Sequence, residues 1–325
     1  MVLRKPHATV NFKTLDGVTL EAWLWEVDGP APAIVMTHGL NCVKEMSLTE
    51  TAEGFQAAGY NVLLYDSRSI GGSGGSPRNQ IDPWQNAQDV SGMSRSDFLD
   101  LEIQLTTKSS DVVSFVSTLP SVDSKRIVLW GVSLGASISG CAAAIDRRVV
   151  AVLMVCPIFT FIRPDKRKTA FAQLMKDRQS QLRGNEPFTL PPFNSKGENP
   201  AGYAGSGGPG GKESHMLMKL AAERGHHNFR DRITLQSFHK LALFRPQDLL
   251  EEMLEDMPAM MIVPELDTVS LPADQMAAFE KLKTPKRLYL AEGAGHMDIL
   301  SGTGFKDVLE AMLQFFGSAL EGLLE

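Results

Sequence analysis

Three residues of this chain have the types and the order that nucleophilic acyl chemistry needs: Ser133, Asp267 and His296. A serine hydroxyl is a weak nucleophile until a histidine accepts its proton. A carboxylate then fixes the histidine tautomer and stabilises the imidazolium that forms. Each residue is common by itself, so the elements around the three decide whether they can meet.

Ser133 is the central residue of the pentapeptide Gly-Val-Ser-Leu-Gly, residues 131–135. Residues 126–130 have the short, apolar, β-branched pattern of a buried parallel strand, and residues 136–145 are small and apolar, as in a buried helix. Glycines at such an elbow allow close packing, and the serine hydroxyl projects from the sheet near a helix N-terminus. The pattern alone also fits a small-residue turn that merely packs a helix on a strand.

Asp267 and His296 each follow a predicted strand. Asp267 comes after the apolar residues 258–263, and His296 lies in a glycine loop after residues 286–290. A carboxylate at the carboxyl end of a strand lies on the functional edge of an open α/β sheet. Glu265 is a competing acid, disfavoured because it comes earlier on the strand. Taken singly, either residue fits an ordinary loop; the order serine, acid, histidine predicts a triad.

An oxyanion formed during acyl transfer needs two backbone N–H donors. The residue after the nucleophile, Leu134, is predicted to supply one of them. The second comes from a loop after an early strand, and His38-Gly39-Leu40 follows the strand pattern of residues 33–37. Leu40 is therefore the predicted second donor, although His38 could simply end the strand.

Strand and helix patterns alternate around these residues, which predicts an α/β fold with a mostly parallel sheet and helices on both faces. A hairpin is predicted around Asp16-Gly17, and residues 44–58 predict the first helix. The alternation stops between residues 159 and 250. We interpret that segment as a helical cap inserted into a hydrolase core formed by residues 1–158 and 251–325. Within the cap, the glycine-rich residues 202–211 are interpreted as a mobile loop.

Composition limits the partners. A net charge of −6 argues against nucleic-acid binding, and no secretion signal or membrane-length apolar run is visible. Three cysteines without a C-x-x-C pair fit a reducing, cytoplasmic setting. No metal-ligand spacing is apparent, because the adjacent His226 and His227 would diverge on a helix. We therefore expect neither a metal nor a cofactor.

Two motifs carry a resemblance to a known family: residues 37–45, Thr-His-Gly-Leu-Asn-Cys-Val-Lys-Glu, and Tyr-Asp-Ser-Arg at 65–68 with the glycine-rich residues 71–78 that end in Ser-Pro-Arg. With these motifs the chain resembles the α/β-hydrolase superfamily over nearly its full length. It is similar in particular to fungal hydrolases of polyketide gene clusters, such as fumagillin polyketide transferase, and to dienelactone-hydrolase-like proteins. Residues 69–75 depart from that pattern by being richer in glycine, which predicts a looser loop.

The resemblance implies a serine-dependent acyl hydrolase or acyltransferase that acts on an ester or thioester in fungal polyketide metabolism. Its expected partners are a small-molecule acyl substrate, free or bound to a carrier protein or coenzyme A, and a polyketide synthase. A second copy of the chain, forming a homodimer, is a further possible partner. The alternative is a non-hydrolytic protein of the same fold that binds or cyclises a polyketide ligand.

Residues 92–109 interrupt what would otherwise be a continuous helix pattern from residues 82–91 into 111–116. Gly-Met-Ser at the start of the segment, and Leu-Thr and Lys-Ser near its end, can be encoded by strings that contain intron donor, branch and acceptor signals. The segment is therefore either a retained intron in the gene sequence or a genuine surface insertion, which costs little stability. In both cases we expect it to be peripheral.

Overall fold

A central eight-stranded sheet organises the protein. The computed structural model describes residues 6–91, 111–226 and 228–324. The sheet has the order β1-β2-β4-β3-β5-β6-β9-β10. Its strands are β1 (Ala8–Lys13), β2 (Thr19–Trp25), β3 (Ala31–Thr37), β4 (Asn61–Tyr65), β5 (Val122–Val132), β6 (Val149–Val155), β9 (Ala259–Pro264) and β10 (Lys286–Ala291). Two short strands, β7 (Thr189–Leu190) and β8 (Ile233–Thr234), pair separately.

Only β1 with β2 and β2 with β4 pair antiparallel; the other neighbours in the large sheet are parallel. All residues of β4 and β9 are buried, as expected for strands covered on both faces. The predicted α/β fold with a mostly parallel sheet is confirmed.

Helices cover both faces of the sheet. The helices of the described residues are α1 (Thr49–Ala57), α2 (Pro83–Ser91), α3 (Val112–Ser117), α4 (Leu134–Ile145), α5 (Arg167–Gln181), α6 (Pro209–Glu223), α7 (Gln236–Leu243), α8 (Pro246–Met253), α9 (Pro272–Lys281) and α10 (Phe305–Leu320). Successive strand residues face opposite sides. Val35 of β3 thus joins the core that contains α4, whereas Ile34 and Met36 join the core that contains α1 and α10.

The segment between β6 and β9 contains α5 to α8 and the short β7–β8 pair. Helix α8 packs on α4 of the core: a Cβ at Gly140 would lie 3.1 Å from Leu250. The predicted cap boundary at residue 250 therefore falls inside a helix that contacts the core.

Three local expectations need correction. The first helix begins at Thr49 rather than residue 44, because residues 40–48 form turns with positive φ at Asn41 and Ser47. Residues 202–211 are not a free loop. They lead into α6, and a Cβ at Gly210 would lie 2.8 Å from the Thr268 carbonyl oxygen, so the glycines allow tight packing on the loop that follows β9.

Residues 69–75 are not loose either. The Gly72 N–H donates to Asp66 at 2.8 Å, and the Ser69 N–H donates to the Gly74 carbonyl at 2.6 Å. A Cβ at Gly71 would lie 2.2 Å from Asp66, so glycine is needed for this close approach. The expectation for residues 92–109 lies outside the described residues. No helix in the described part of the chain is long and apolar enough to cross a membrane.

Candidate active site

The site is built around the sharp turn between β5 and α4. Ser133 occupies it with φ 59° and ψ −122°, a conformation that is strained for a residue with a side chain. A Cβ at Gly131 would lie 2.3 Å from the Gly135 carbonyl oxygen, and one at Gly135 would lie 2.3 Å from the Thr37 carbonyl oxygen. Both glycines are thus required by backbone contacts, which fix the serine at the carboxyl edge of the sheet.

The structure brings Ser133, His296 and Asp267 into one hydrogen-bond chain. Ser133 Oγ lies 2.9 Å from His296 Nε2, and His296 Nδ1 lies 2.8 Å from Asp267 Oδ2. An ionised carboxylate can only accept, so Nδ1 carries the proton in neutral His296 and Nε2 accepts from the serine hydroxyl. All three residues are buried, with Ser133 the most exposed at 9%.

Backbone and side-chain donors hold the Asp267 carboxylate in place. Its Oδ1 accepts the N–H groups of Val269 at 2.8 Å and Ser270 at 2.9 Å. Gln275, on α9, donates from Nε2 to Asp267 Oδ2 at 3.1 Å and to the Ser270 carbonyl at 2.7 Å. The competing acid Glu265 instead accepts the Gly293 N–H at 2.8 Å. Asp267 is therefore the acid that the fold presents to His296.

Cys156 is a further residue beside the histidine. It follows β6 with φ 40°, and its Sγ lies 4.0 Å from His296 Nε2. Burial lowers the pKa of His296, but Cys156 and the hydrogen-bonded Asp267 raise it, and the balance lies above the ordinary value. Ligand atoms of Cys156, Asp267 and His296 lie within 4.8 Å of one another. A metal bound to all three would compete with the proton shared by His296 and Asp267.

The two predicted oxyanion donors lie beside Ser133. Leu134 is the first residue of α4, where a backbone N–H has no partner within its helix. A Cβ at Gly39 would lie 3.4 Å from Ser133 Cβ, so the loop that carries Leu40 packs against the nucleophile.

His38 fixes the start of this loop. Its Nδ1 lies 3.0 Å from the Gly39 carbonyl oxygen, to which it donates, and its Nε2 accepts the Ser67 N–H at 3.2 Å. Burial lowers the pKa of His38, so the neutral form with a proton on Nδ1 is favoured. His38 is therefore more than a strand end: it ties the loop after β3 to the loop after β4.

A buried ionic network also connects the loop after β3 to the loop after β4. Lys44 is 1% exposed, and its Nζ lies 2.8 Å from Asp66 and 2.6 Å from Glu21. Asp66 also accepts the Lys44 backbone N–H at 2.7 Å. These carboxylates outweigh burial and raise the pKa of Lys44. The loop that carries Leu40 is thereby joined to β2 and to the turn after β4.

An apolar pocket opens onto the hydrogen-bond chain. It has a volume of about 100 Å³. Ser133, His296 and Leu40 contribute to it from the core, and α6 contributes Leu217 and Met218. The pocket therefore suits an acyl chain whose carbonyl reaches Ser133.

Sequence analysis missed Gln275, Cys156 and Lys44 as parts of this site. Lys44 and Asp66 each belong to a motif described above, but the motifs alone do not indicate that the two side chains form an ion pair. Gln275 lies one turn into α9, and no local pattern signals it.

The sequence and the fold both match known proteins. A family model described as "Alpha/beta hydrolase family" matches residues 34–308. A thiohydrolase of Eupenicillium brefeldianum is 39% identical over 96% of this chain and 94% of its own length. A polyketide transferase of Stachybotrys chlorohalonatus is 37% identical over 96% of this chain and 97% of its own.

A solved structure is also similar. DcsB in complex with its substrate analogue superposes with a TM-score of 0.88 at 49% identity, over 97% of this chain and all of DcsB.

Proposed function

Because the chain belongs to the alpha/beta hydrolase family, we propose that it is a serine-dependent acyl hydrolase or acyltransferase that acts on an ester or thioester of a polyketide. The observation that carries the proposal is the hydrogen-bond chain from Ser133 through His296 to Asp267, at 2.9 and 2.8 Å. These distances are those at which a histidine can take a proton from a nucleophile while a carboxylate orients it.

In the proposed first half-reaction, Ser133 Oγ attacks the acyl carbonyl as His296 Nε2 accepts the hydroxyl proton. The backbone N–H groups of Leu40 and Leu134 are the proposed donors to the oxyanion. When the tetrahedral intermediate collapses, the bond to the leaving alcohol or thiol breaks and the imidazolium returns its proton to that group. An acyl-serine remains.

In the second half-reaction, water or an alcohol attacks the acyl-serine while His296 accepts the proton of the attacking group. The Ser133 oxygen then leaves and regains its proton from the imidazolium. Water makes the protein a hydrolase and an alcohol makes it a transferase. The relatives carry both kinds of name, thiohydrolase and polyketide transferase, which supports acyl chemistry without choosing the acceptor.

The proposed substrate is a thioester, as in the name of the thiohydrolase relative, and the proposed location is the cytoplasm. The apolar lining around Ser133 suits a reduced or partly reduced acyl chain. Cys42, Cys141 and Cys156 are free thiols, which fits a reducing compartment.

Turnover of a synthetic medium-chain acyl thioester, with and without an added alcohol, tests the proposal. We expect wild type to release the thiol and Ser133→Ala to lose that activity, with both proteins folded by circular dichroism. An ester that increases with alcohol concentration would identify a transferase, and free acid alone a hydrolase. Equal thiol release by wild type and Ser133→Ala would refute the serine mechanism.

A further inference from the structure

Arg78, in the Ser-Pro-Arg motif, has no part in the acyl chemistry described above. It lines a second cavity, of about 590 Å³, between the loop after β4 and the segment between α6 and β8. Arg230 and Arg232 line the same cavity, together with Asn79, His226 and Phe229. We refer to it as the arginine cavity, after Arg78, Arg230 and Arg232.

Positive charge is concentrated there. Arg78 and Arg230 line the same cavity, where burial and the positive charge of Arg230 lower the pKa of Arg78 against the opposing effect of Asp66. Arg78 is held in place because it donates to the carbonyl oxygens of Ser73 and Gly71. Asp231 also lines the cavity, but within the described ranges no ion pair joins it to any of the three arginines. An anion between the arginines would relieve their repulsion.

A buried acceptor in the cavity wall also lacks a partner. Asn79 is 3% exposed, and its Oδ1 has no hydrogen-bond partner among the described residues. Its Nδ2 is used, because it donates to Asn41 Oδ1 at 2.9 Å. A buried acceptor without a donor is costly. The accessible lining of the cavity, with its three arginines, therefore favours an anionic ligand.

The arginine cavity adjoins the pocket at Ser133. Met218 of α6 lines the Ser133 pocket, and Ala222, four residues later and about 6 Å along the helix, lines the arginine cavity. Asn41, next to the proposed oxyanion donor Leu40, donates to the Arg230 carbonyl oxygen at 2.9 Å. The two sites therefore lie on neighbouring turns of α6, and the loop after β3 contacts the segment that carries Arg230.

We propose that the arginine cavity binds the phosphate of a pantetheine 4′-phosphate thioester, whose acyl group then lies at Ser133. This inference rests on the proposed thioester activity. The phosphate supplies the anion that the three arginines favour, and the pantetheine arm spans the distance to the acyl group. Coenzyme A and carrier proteins both present this group.

The decisive comparison uses two thioesters of one acyl group, acyl-pantetheine and acyl-4′-phosphopantetheine, which differ only in the phosphate. We expect wild type to have the higher kcat/KM for the phosphorylated substrate. In Arg230→Gln the ratio of the two kcat/KM values should fall about tenfold, because a charge-assisted hydrogen bond is lost. Arg230 is the better target, since its side chain is exposed whereas Arg78 also holds backbone carbonyls.

Arg167→Gln is the matched control, because Arg167 is an exposed arginine of α5 outside the cavity. Its ratio should equal that of wild type. High salt should lower the wild-type ratio, and inorganic pyrophosphate should compete with the phosphorylated substrate only. The two sources are distinguished by measuring kcat/KM of wild type and Arg230→Gln with acyl-coenzyme A and with an acylated carrier protein. A lower kcat/KM of Arg230→Gln with either substrate supports the phosphate site.

An unchanged ratio in Arg230→Gln would overturn the proposal. If neither thioester is turned over, the proposed function fails instead, and binding of coenzyme A then decides the site. Calorimetry on Ser133→Ala and on Ser133→Ala with Arg230→Gln should show weaker binding by the double variant. Equal affinity would overturn the proposal independently of activity.

Discussion

Asp267 receives more hydrogen bonds than any other residue of the Ser133–His296–Asp267 chain. Two backbone N–H groups fix one carboxylate oxygen, and Gln275 and His296 share the other. Its position is thus set by the turn after β9, and it in turn sets the tautomer of His296.

Asp267→Asn should preserve the fold and lower kcat for thioester release by about 10³–10⁴-fold, because an amide can present its N–H to Nδ1 and stabilise the wrong tautomer. Steady-state kinetics and thermal unfolding of the purified variant check this. A loss below tenfold would mean that Asp267 is not the orienting acid.

The pH dependence follows from the same contacts. His296 must be neutral to accept the serine proton, and its pKa lies above the ordinary histidine value. We expect kcat/KM for a non-ionising thioester to increase with pH and to level off only above that raised pKa. A plateau already reached below pH 6 would contradict the raised pKa.

At the scale of elements, glycines and one buried ionic network determine where the site residues lie. Gly131 and Gly135 let β5, α4 and the end of β3 approach within contact distance. Lys44 joins the loop after β3 to Asp66 after β4 and to Glu21 on β2.

Gly135→Ala should inactivate the protein and lower its melting temperature, because the added Cβ would lie 2.3 Å from the Thr37 carbonyl oxygen. Gly317→Ala is the matched control. A Cβ there meets nothing within 4 Å, and alanine in α10 should stabilise by up to about 1 kcal/mol. Normal activity in Gly135→Ala would show that the turn does not need a close approach.

Lys44→Met should cost about 3–5 kcal/mol of unfolding free energy, because it leaves the buried Asp66 carboxylate without its cation. Lys219→Met removes an exposed lysine that pairs with Glu223 on α6, and should cost within about 0.5 kcal/mol. Urea unfolding compares the two. If Lys44→Met were as stable as Lys219→Met, the network would not hold the loops.

Across the whole molecule, the parallel sheet and the order of Ser133, Asp267 and His296 were predictable because both depend on local patterns. Residues 44–48 and the glycines of 202–211 were misjudged because their conformations are set by Asp66, Thr268 and other partners distant in sequence. Cys156 and Gln275 escaped notice for the same reason: their roles exist only once β6, α9 and the loop after β10 pack together.

The central claim is that Ser133 carries the acyl group during turnover, and peptide mass spectrometry tests it most directly. The protein is incubated with an acyl-pantetheine thioester, quenched in acid and digested. We predict that the acyl mass resides on the peptide that contains Ser133, and that Ser133→Ala acquires none. Acyl transfer to Cys42 or Cys156, or thiol release with no acylated Ser133 at any time point, would contradict the account.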